Sequence, residues 1–171
     1  MTEASKNLDL EINEAFKTAE TLGNFNLSEY LALRTNNDAI RQQSIRWLFD
    51  SVLEIVTAFN QHNASIEINQ TQAHRFKIEN SYFTGSLLEL KQGVRCFRIE
   101  AGWTQSIDDS VLRYNALACA KFSHFGYANN SDTLYLINFE SSPLWFSLRD
   151  ESNFSSFQIE GLRAHFERLL L

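Results

Sequence analysis

Cys119 and His124 are the two residues of this sequence that come closest to a nucleophile and its base. A thiol becomes a good nucleophile when a histidine within hydrogen-bond reach takes its proton. The two residues are five positions apart. That offset places side chains on opposite faces of a strand and on different sides of a helix. The spacing therefore predicts a buried free cysteine at position 119 and no local catalytic pair.

No other spacing in the chain is typical of a metal or phosphate site. The six glycines lie at least eight residues apart, whereas a phosphate cradle needs clustered glycines such as GxGxxG. Asp108 and Asp109 could offer carboxylates, but helix capping explains them as well. The histidines lack the HxH, HxxxH and HExxH spacings of zinc sites; they are His62, His74, His124 and His165. We therefore predict no metal, no cofactor and no catalytic residue.

The chain is acidic overall but basic in its middle. Its formal net charge is −6, from 15 Lys and Arg against 21 Asp and Glu. Residues 71–98 hold five basic and two acidic side chains, while residues 1–60 and 99–171 each have a net charge of −4. Because phosphate neutralisation dominates the affinity for nucleic acids, the overall balance disfavours a nucleic acid as the partner. A protein with an acidic patch suits the basic middle better.

The basic side chains of the middle strands form a candidate binding surface. Strand alternation puts Arg75 and Lys77 on the side opposite Phe76 and Ile78. We therefore expect the two cations to point away from the helices. If the strand register also brings Arg98 beside them, the sheet carries a cationic patch that would attract an acidic partner. The alternative is a solvated face of mixed charge.

Trp145 and Phe146 form a second candidate for a binding surface. Neighbouring residues of a strand point to opposite faces, so the two rings cannot both enter the same core. One of them is a candidate for an exposed aromatic anchor, the kind of residue that dominates many protein interfaces. A sheet that is covered on both faces is the alternative.

The first 60 residues predict three helices. Apolar residues at helical spacing indicate the first helix over about Ser5–Leu22. Asn26 and Glu29 form a capping box for a short second helix that ends near Arg34. Capping and turn residues at 35–38 then separate it from a third helix over about 38–60, whose wide apolar face predicts a helix packed on the inner face of the sheet.

The period changes from 3.6 to 2 after residue 63, which predicts six or seven antiparallel strands up to residue 148. Residues 108–117 are ambiguous between helix and strand. Ser155 and Gln158 form a second capping box, which predicts a C-terminal helix over 155–171. Helices and strands that are segregated in this way predict an α+β fold: a single domain over 1–171, with 1–60 helical and 64–148 forming the antiparallel sheet.

The sequence resembles no family that we recognise, so function must be inferred from what the residues permit. We predict a cytoplasmic, non-enzymatic, protein-binding accessory module of the adaptor, chaperone-like or inhibitor type, with Arg75, Lys77, Arg98, Trp145 and Phe146 as candidate binding residues. The alternative is a small hydrophobic ligand-binding domain with a helix-on-sheet cup. An enzyme with a site assembled from remote residues is the third hypothesis. We expect no membrane span and no secretory signal, because the longest apolar run has five residues. Self-association is left open.

Overall fold

The computed structural model describes most of the chain, namely Thr18 and residues 25–104, 112–140, 142–150 and 153–170. Apart from Thr18, the first predicted helix lies outside the described residues, as do residues 108–111 of the ambiguous segment. The chain forms two compact units, residues 1–40 and 41–171. Whether the whole chain behaves as a single domain stays a prediction.

The first helix of the structure, α1, runs from Phe25 to Gln61 without interruption. The predicted break at residues 35–38 is therefore wrong. The hydroxyl of Thr35 donates a hydrogen bond of 2.9 Å to the carbonyl oxygen of Leu31, one turn earlier. This bond back to the preceding turn satisfies the hydroxyl inside a helix, so Thr35 need not cap a new one.

Seven antiparallel strands form one sheet in the second unit. Each strand pairs with the next along the chain, so the spatial order is that of a meander. The strands are β1 (Glu67–Ile78), β2 (Ser81–Gln92), β3 (Arg95–Trp103), β4 (Ala118–His124), β5 (Tyr127–Phe139), β6 (Ser142–Asp150) and β7 (Asn153–Ser156). With helices packed on it, this sheet confirms the predicted α+β fold.

The second helix, α2, begins at Ile159 and ends at Leu170. The prediction started it at Ser155, which is wrong because Ser155 belongs to β7. Ser155 pairs there with Ser147 of β6, and their hydroxyl oxygens lie 2.9 Å apart. The cross-strand hydroxyl bond uses the side chain that was expected to cap the helix.

One face of the sheet, which we call the helix face, carries Leu90, Phe97 and Phe122 and packs against α2 and residues 41–61 of α1. The ring of Phe97 meets the ring of Phe166 of α2 edge to face, at 6.0 Å between centroids. Residues 41–61 of α1 add the ring of Phe59, stacked on Phe166 at 5.7 Å. The residues here that are almost completely buried include Leu48, Val52, Val56, Leu88, Leu90, Phe97, Ile99, Phe122, Leu162, Phe166 and Leu169.

The opposite face, which we call the far face, carries a second and smaller apolar cluster. It contains Phe76, Ile78, Phe83, Ala116, Cys119 and Tyr135. The rings of Phe76 and Phe83 stack at 5.5 Å. The segment Leu112–Ala116, which includes a 3-10 turn at Arg113–Asn115, supplies part of the cluster. The sheet is therefore apolar on both faces.

A β-bulge in β1 changes which face its residues occupy. The register with β2 shifts between Gln72 and His74, and Ala73 has a positive φ of 56°. Before the bulge, Ile68 pairs with Leu90 and belongs to the helix face. After it, the even-numbered residues of β1 belong to the far face. The extra residue of a bulge produces this change of side.

Candidate functional site

Arg75 and Lys77 lie on the helix face, and the prediction that they point away from the helices is wrong. Arg75 pairs with Thr84, and Thr84 pairs with Trp103. The guanidinium of Arg41, on α1, lies 5.8 Å from the ring centroid of Trp103. This contact with the helix identifies the side of the sheet that carries Trp103, Thr84 and Arg75 as the helix face. Both cations remain exposed. The error has a physical cause. Phe76 and Ile78, the apolar residues that alternate with the two cations, belong to the far-face cluster and not to the core beneath the helices.

Arg98 does not join the other two cations. It pairs with Glu89 and with Ser123, and it is five residues from Trp103 on the same strand, so it lies on the far face. Its Nε atom lies 3.2 Å from Oε1 of Glu89. The register therefore rules out a patch made of Arg75, Lys77 and Arg98.

Another set of residues gathers around Arg75 and Lys77, and we call it the basic–aromatic patch: Arg41, Arg75, Lys77, Tyr82 and Trp103. The Tyr82 ring lies 4.7 Å from the guanidinium carbon of Arg75 and 5.5 Å from Nζ of Lys77. Cations at such distances from a ring are held by roughly 0.5–1 kcal/mol each at exposed sites. The patch thus combines three cations with two aromatic rings on one side of the sheet.

Backbone pairing and one side-chain hydrogen bond position the patch. The turn at Glu79 and Asn80 puts Lys77 opposite Tyr82 in the β1–β2 hairpin. Arg41 donates from Nε to the carbonyl oxygen of Leu117 over 2.8 Å, which holds its guanidinium near Trp103. Tyr82 keeps 43% of its surface exposed. Alternation across the hairpin could have suggested Tyr82, but nothing in the sequence connects it to Arg41.

Trp145 is not an exposed anchor. It is 3% exposed, and its indole Nε1 donates to the carbonyl oxygen of Ser44 over 3.3 Å. It lies on the helix face, where it pairs with Leu136. Phe146, on the far face, is half-buried, with its ring 6.0 Å from that of Phe139. A binding role for Phe146 stays a prediction, whereas Trp145 would have to leave the core to touch a partner.

Cys119 and His124 lie on opposite faces, as their spacing predicts. Cys119 pairs with Gly102 on the far face, and His124 pairs with Phe97 on the helix face. Burial raises the pKa of the Cys119 thiol, with a further contribution from the negative charge of Glu79. A neutral and 1% exposed thiol is a poor nucleophile. The arrangement of this pair gives no support to thiol catalysis.

His124 instead takes part in a network of two buried imidazoles and one exposed carboxylate that the sequence did not suggest. Its Nε2 lies 3.0 Å from Nδ1 of His165, and Nε2 of His165 lies 3.0 Å from Oδ2 of Asp132. When both rings are neutral, His165 donates to the carboxylate and accepts from His124. Both imidazoles stack on Phe97, at 4.5 and 5.1 Å between centroids. The network joins α2 to strands β4 and β5, with its two imidazoles buried and Asp132 at the surface.

The stability of the fold is expected to decrease in mild acid because of this network. The pKa of His124 is lowered from 6.5 to about 4, since burial disfavours the imidazolium and the charges of His165 and Arg168 repel it. Between these two pH values the unfolded chain binds a proton that the folded chain does not. The free energy of unfolding therefore falls as the pH drops from 6.5 towards 4. Asp132 adds to the loss at lower pH, because its hydrogen bond from His165 lowers its own pKa.

Urea denaturation at several pH values across this window measures the effect. The variant His124→Gln can still donate to His165 but does not titrate, so its stability should change much less with pH. The matched control is His62→Gln, at an exposed histidine, which should keep the wild-type pH dependence. Equal pH dependence in wild type and His124→Gln would contradict this assignment.

One further side-chain hydrogen bond lies on the far face. Nε2 of His74 is 2.8 Å from Oε1 of Glu100, and both side chains are mostly buried. Among the described residues, no group of three or more His, Cys, Asp or Glu is arranged to hold a metal ion. Within the same residues, no helix is both long and apolar enough to cross a membrane.

Comparisons with protein-family models, curated proteins and solved structures found no match for the chain.

Proposed function

We propose that the protein is a non-enzymatic binding module that takes an acidic segment of a partner protein on the basic–aromatic patch. The observation that carries this proposal is the gathering of Arg41, Arg75 and Lys77 around two aromatic rings on one face of the sheet. In an acidic chain, such a local concentration of positive charge gives electrostatic complementarity to an acidic surface.

The chemistry of the patch suits an acidic peptide. Guanidinium and ammonium groups donate to carboxylates, and charge-assisted hydrogen bonds of this kind are stronger than neutral ones. Tyr82 offers a partly exposed ring beside the cations, and tyrosine is enriched among residues that dominate interfaces. A nucleic acid is disfavoured because its long phosphate backbone would meet the negative charge of the rest of the chain.

The packing on the helix face favours a surface site over a helix-on-sheet cup. Phe97, Phe122 and Phe166 are fully buried, and the ring of Phe97 contacts the rings of the other two. A ligand cup in this position would need space that these rings occupy. The two free cysteines, Cys96 and Cys119, suit a reducing compartment, so a cytoplasmic location remains part of the proposal.

Charge reversal at the patch is expected to weaken binding of an acidic peptide. With a fluorescent oligoglutamate peptide as probe, Arg75→Glu combined with Lys77→Glu should lower the affinity by at least roughly tenfold at low salt, because attraction becomes repulsion. The free energy of unfolding should fall by no more than about 2 kcal/mol, because both residues are exposed and the variant loses their two cation–π contacts with Tyr82. Fluorescence anisotropy measures the affinity.

A charge-matched control separates the patch from the net charge of the protein. Lys91→Glu combined with Arg163→Glu changes the net charge by the same amount at exposed positions outside the patch. This variant should bind the peptide nearly as well as wild type. Equal weakening by the two double variants, or wild-type binding that does not change with salt, would contradict the proposed site.

A further inference from the structure

β1 is the first strand in the spatial order of the sheet, so one of its two long sides is an edge of the sheet. An edge strand presents a row of backbone N–H and C=O groups with which another chain can pair. β1 has 12 residues, which span roughly 40 Å in an extended strand. The edge strand at the other end of the order, β7, has only four residues. β1 therefore offers the longer row of pairing groups.

Most side chains of β1 are exposed. Residues 67–73 are all exposed, and so are Arg75 and Lys77. Sheets often protect a long edge with charged side chains or with a bulge that interrupts pairing. β1 has both features, because the bulge at Ala73 divides its edge into the runs 67–72 and 74–78, and the second run carries the two cations. A strand that pairs with the second run must therefore tolerate positive charge.

The run 74–78 presents both cations on the same face. Arg75 and Lys77 are two residues apart, so both belong to the helix face and lie about 7 Å apart along the strand. The ring of Tyr82 lies beside both of them. In a strand added at this edge, every second residue would share that face and lie directly opposite one of the cations. Carboxylates at alternate positions would each meet a positive charge.

The charge of the edge favours an acidic strand over a second copy of β1. Two copies that pair antiparallel over the run 74–78 would place Arg75 opposite Lys77 of the other copy, and like charges directly opposite each other destabilise a sheet. The one acidic residue of β1, Glu67, lies at the start of the strand and on the far face, where it pairs with Lys91. It therefore does not face a carboxylate placed beside Arg75 and Lys77.

We propose that the acidic segment of the partner adds to the sheet as a further strand along the run 74–78 of β1. This inference rests on the proposed function and specifies how the segment binds. Its backbone hydrogen-bonds to the outer edge of β1, and its acidic side chains face Arg75 and Lys77. In strand addition of this kind, main-chain hydrogen bonds provide affinity and alternate side chains provide specificity. The partner therefore offers an extended segment in which every second residue is aspartate or glutamate.

Two isomeric peptides with N-methylated backbones test the proposal. Both alternate glutamate with threonine; one is N-methylated at every glutamate and the other at every threonine, so their charge and composition are identical. In an added strand, the N–H groups of alternate residues point towards the neighbouring strand, and those between them point to solvent. Only one isomer therefore loses hydrogen bonds to β1, and fluorescence anisotropy should show an affinity at least roughly tenfold lower for it than for the other.

Unmethylated oligoglutamate separates a failure of this inference from a failure of the proposed function. If oligoglutamate binds wild type and the two methylated isomers bind equally well, the strand addition is overturned and the patch binds by charge alone. If oligoglutamate does not bind, the proposed function fails and this inference fails with it.

Hydrogen exchange of backbone amides in the full-length protein locates the added strand. With the unmethylated alternating peptide at saturation, every second amide of the run 74–78 should exchange at least roughly tenfold more slowly. The amides of β7, the opposite edge, should exchange as they do without peptide. Protection at β7 instead of β1 would overturn the proposal. Equal protection of all amides of the run before peptide is added would also overturn it, because the edge would already be occupied; light scattering would show whether a second copy occupies it.

Discussion

Replacing Gly85 by alanine is expected to lower the free energy of unfolding by about 3 kcal/mol. Gly85 of β2 pairs with Gly102 of β3, and the two strands approach each other closely there. A Cβ atom on Gly85 would overlap the carbonyl oxygen of Ala101 and lie 2.5 Å from Cα of Gly102. Because both atoms belong to the backbone, no side-chain rotation can relieve the overlap, and the strands would have to separate.

Gly93→Ala is the matched control for this prediction. Gly93 has a φ of +59° but open space around the position of a Cβ atom. Alanine there should cost only about 1 kcal/mol, the usual penalty of a left-handed residue. Urea denaturation measures both variants. If Gly85→Ala costs no more than Gly93→Ala, the close approach of the two strands is not a feature of the folded protein in solution.

Truncating Phe97 to alanine is expected to destabilise the protein by about 3–5 kcal/mol. Phe97 is fully buried and stacks on His124 and His165 while meeting Phe122 and Phe166 edge to face. Its removal leaves a cavity at the contact between α2 and the sheet. Since typical domains are stable by only about 5–15 kcal/mol, this single change could leave little folded protein.

Phe125→Ala is the control for the same residue type. Phe125 is 76% exposed, and its truncation should change the free energy of unfolding by no more than about 0.5 kcal/mol. Circular dichroism during urea denaturation measures both variants. Similar small losses at the two positions would contradict the packing of α2 on Phe97.

The fold class could be predicted because each local pattern has a simple physical origin. The change of period from 3.6 to 2 indicated a sheet between helical regions, and the structure places antiparallel strands there. The ends of helices were harder to predict where a side chain that can cap a helix can also make a different hydrogen bond. Thr35 bonds to the preceding turn of α1, and Ser155 bonds across β6 and β7, although both residue types are typical helix caps.

The candidate site was less predictable because the sheet is apolar on both faces. Alternation correctly separates Arg75 and Lys77 from Phe76, but it does not say which face the helices cover. Phe76 belongs to the far-face cluster, so the cations lie on the helix face instead. The bulge at Ala73 also moves the even-numbered residues of β1 from one face to the other, and no sequence motif predicts this bulge.

The contacts that complete the candidate site join residues far apart in the sequence. Arg41 meets Trp103, and His124 meets His165. Their sequence separations follow from how the helices pack on the sheet, which local spacing does not encode. Two members of the basic–aromatic patch, Arg75 and Lys77, were therefore predicted from the sequence. The other three were identified only from the structure.

The position of the binding surface is tested most directly by NMR mapping of the wild-type protein with oligoglutamate. Changes in amide chemical shift are predicted around Arg75, Lys77, Tyr82 and Trp103, because these residues form the part of the patch that lies on the sheet. The shifts should shrink as salt is added, since ions screen an exposed electrostatic contact. Shifts that map to the far face or to α2, or shifts at the patch that do not respond to salt, would contradict the proposed function.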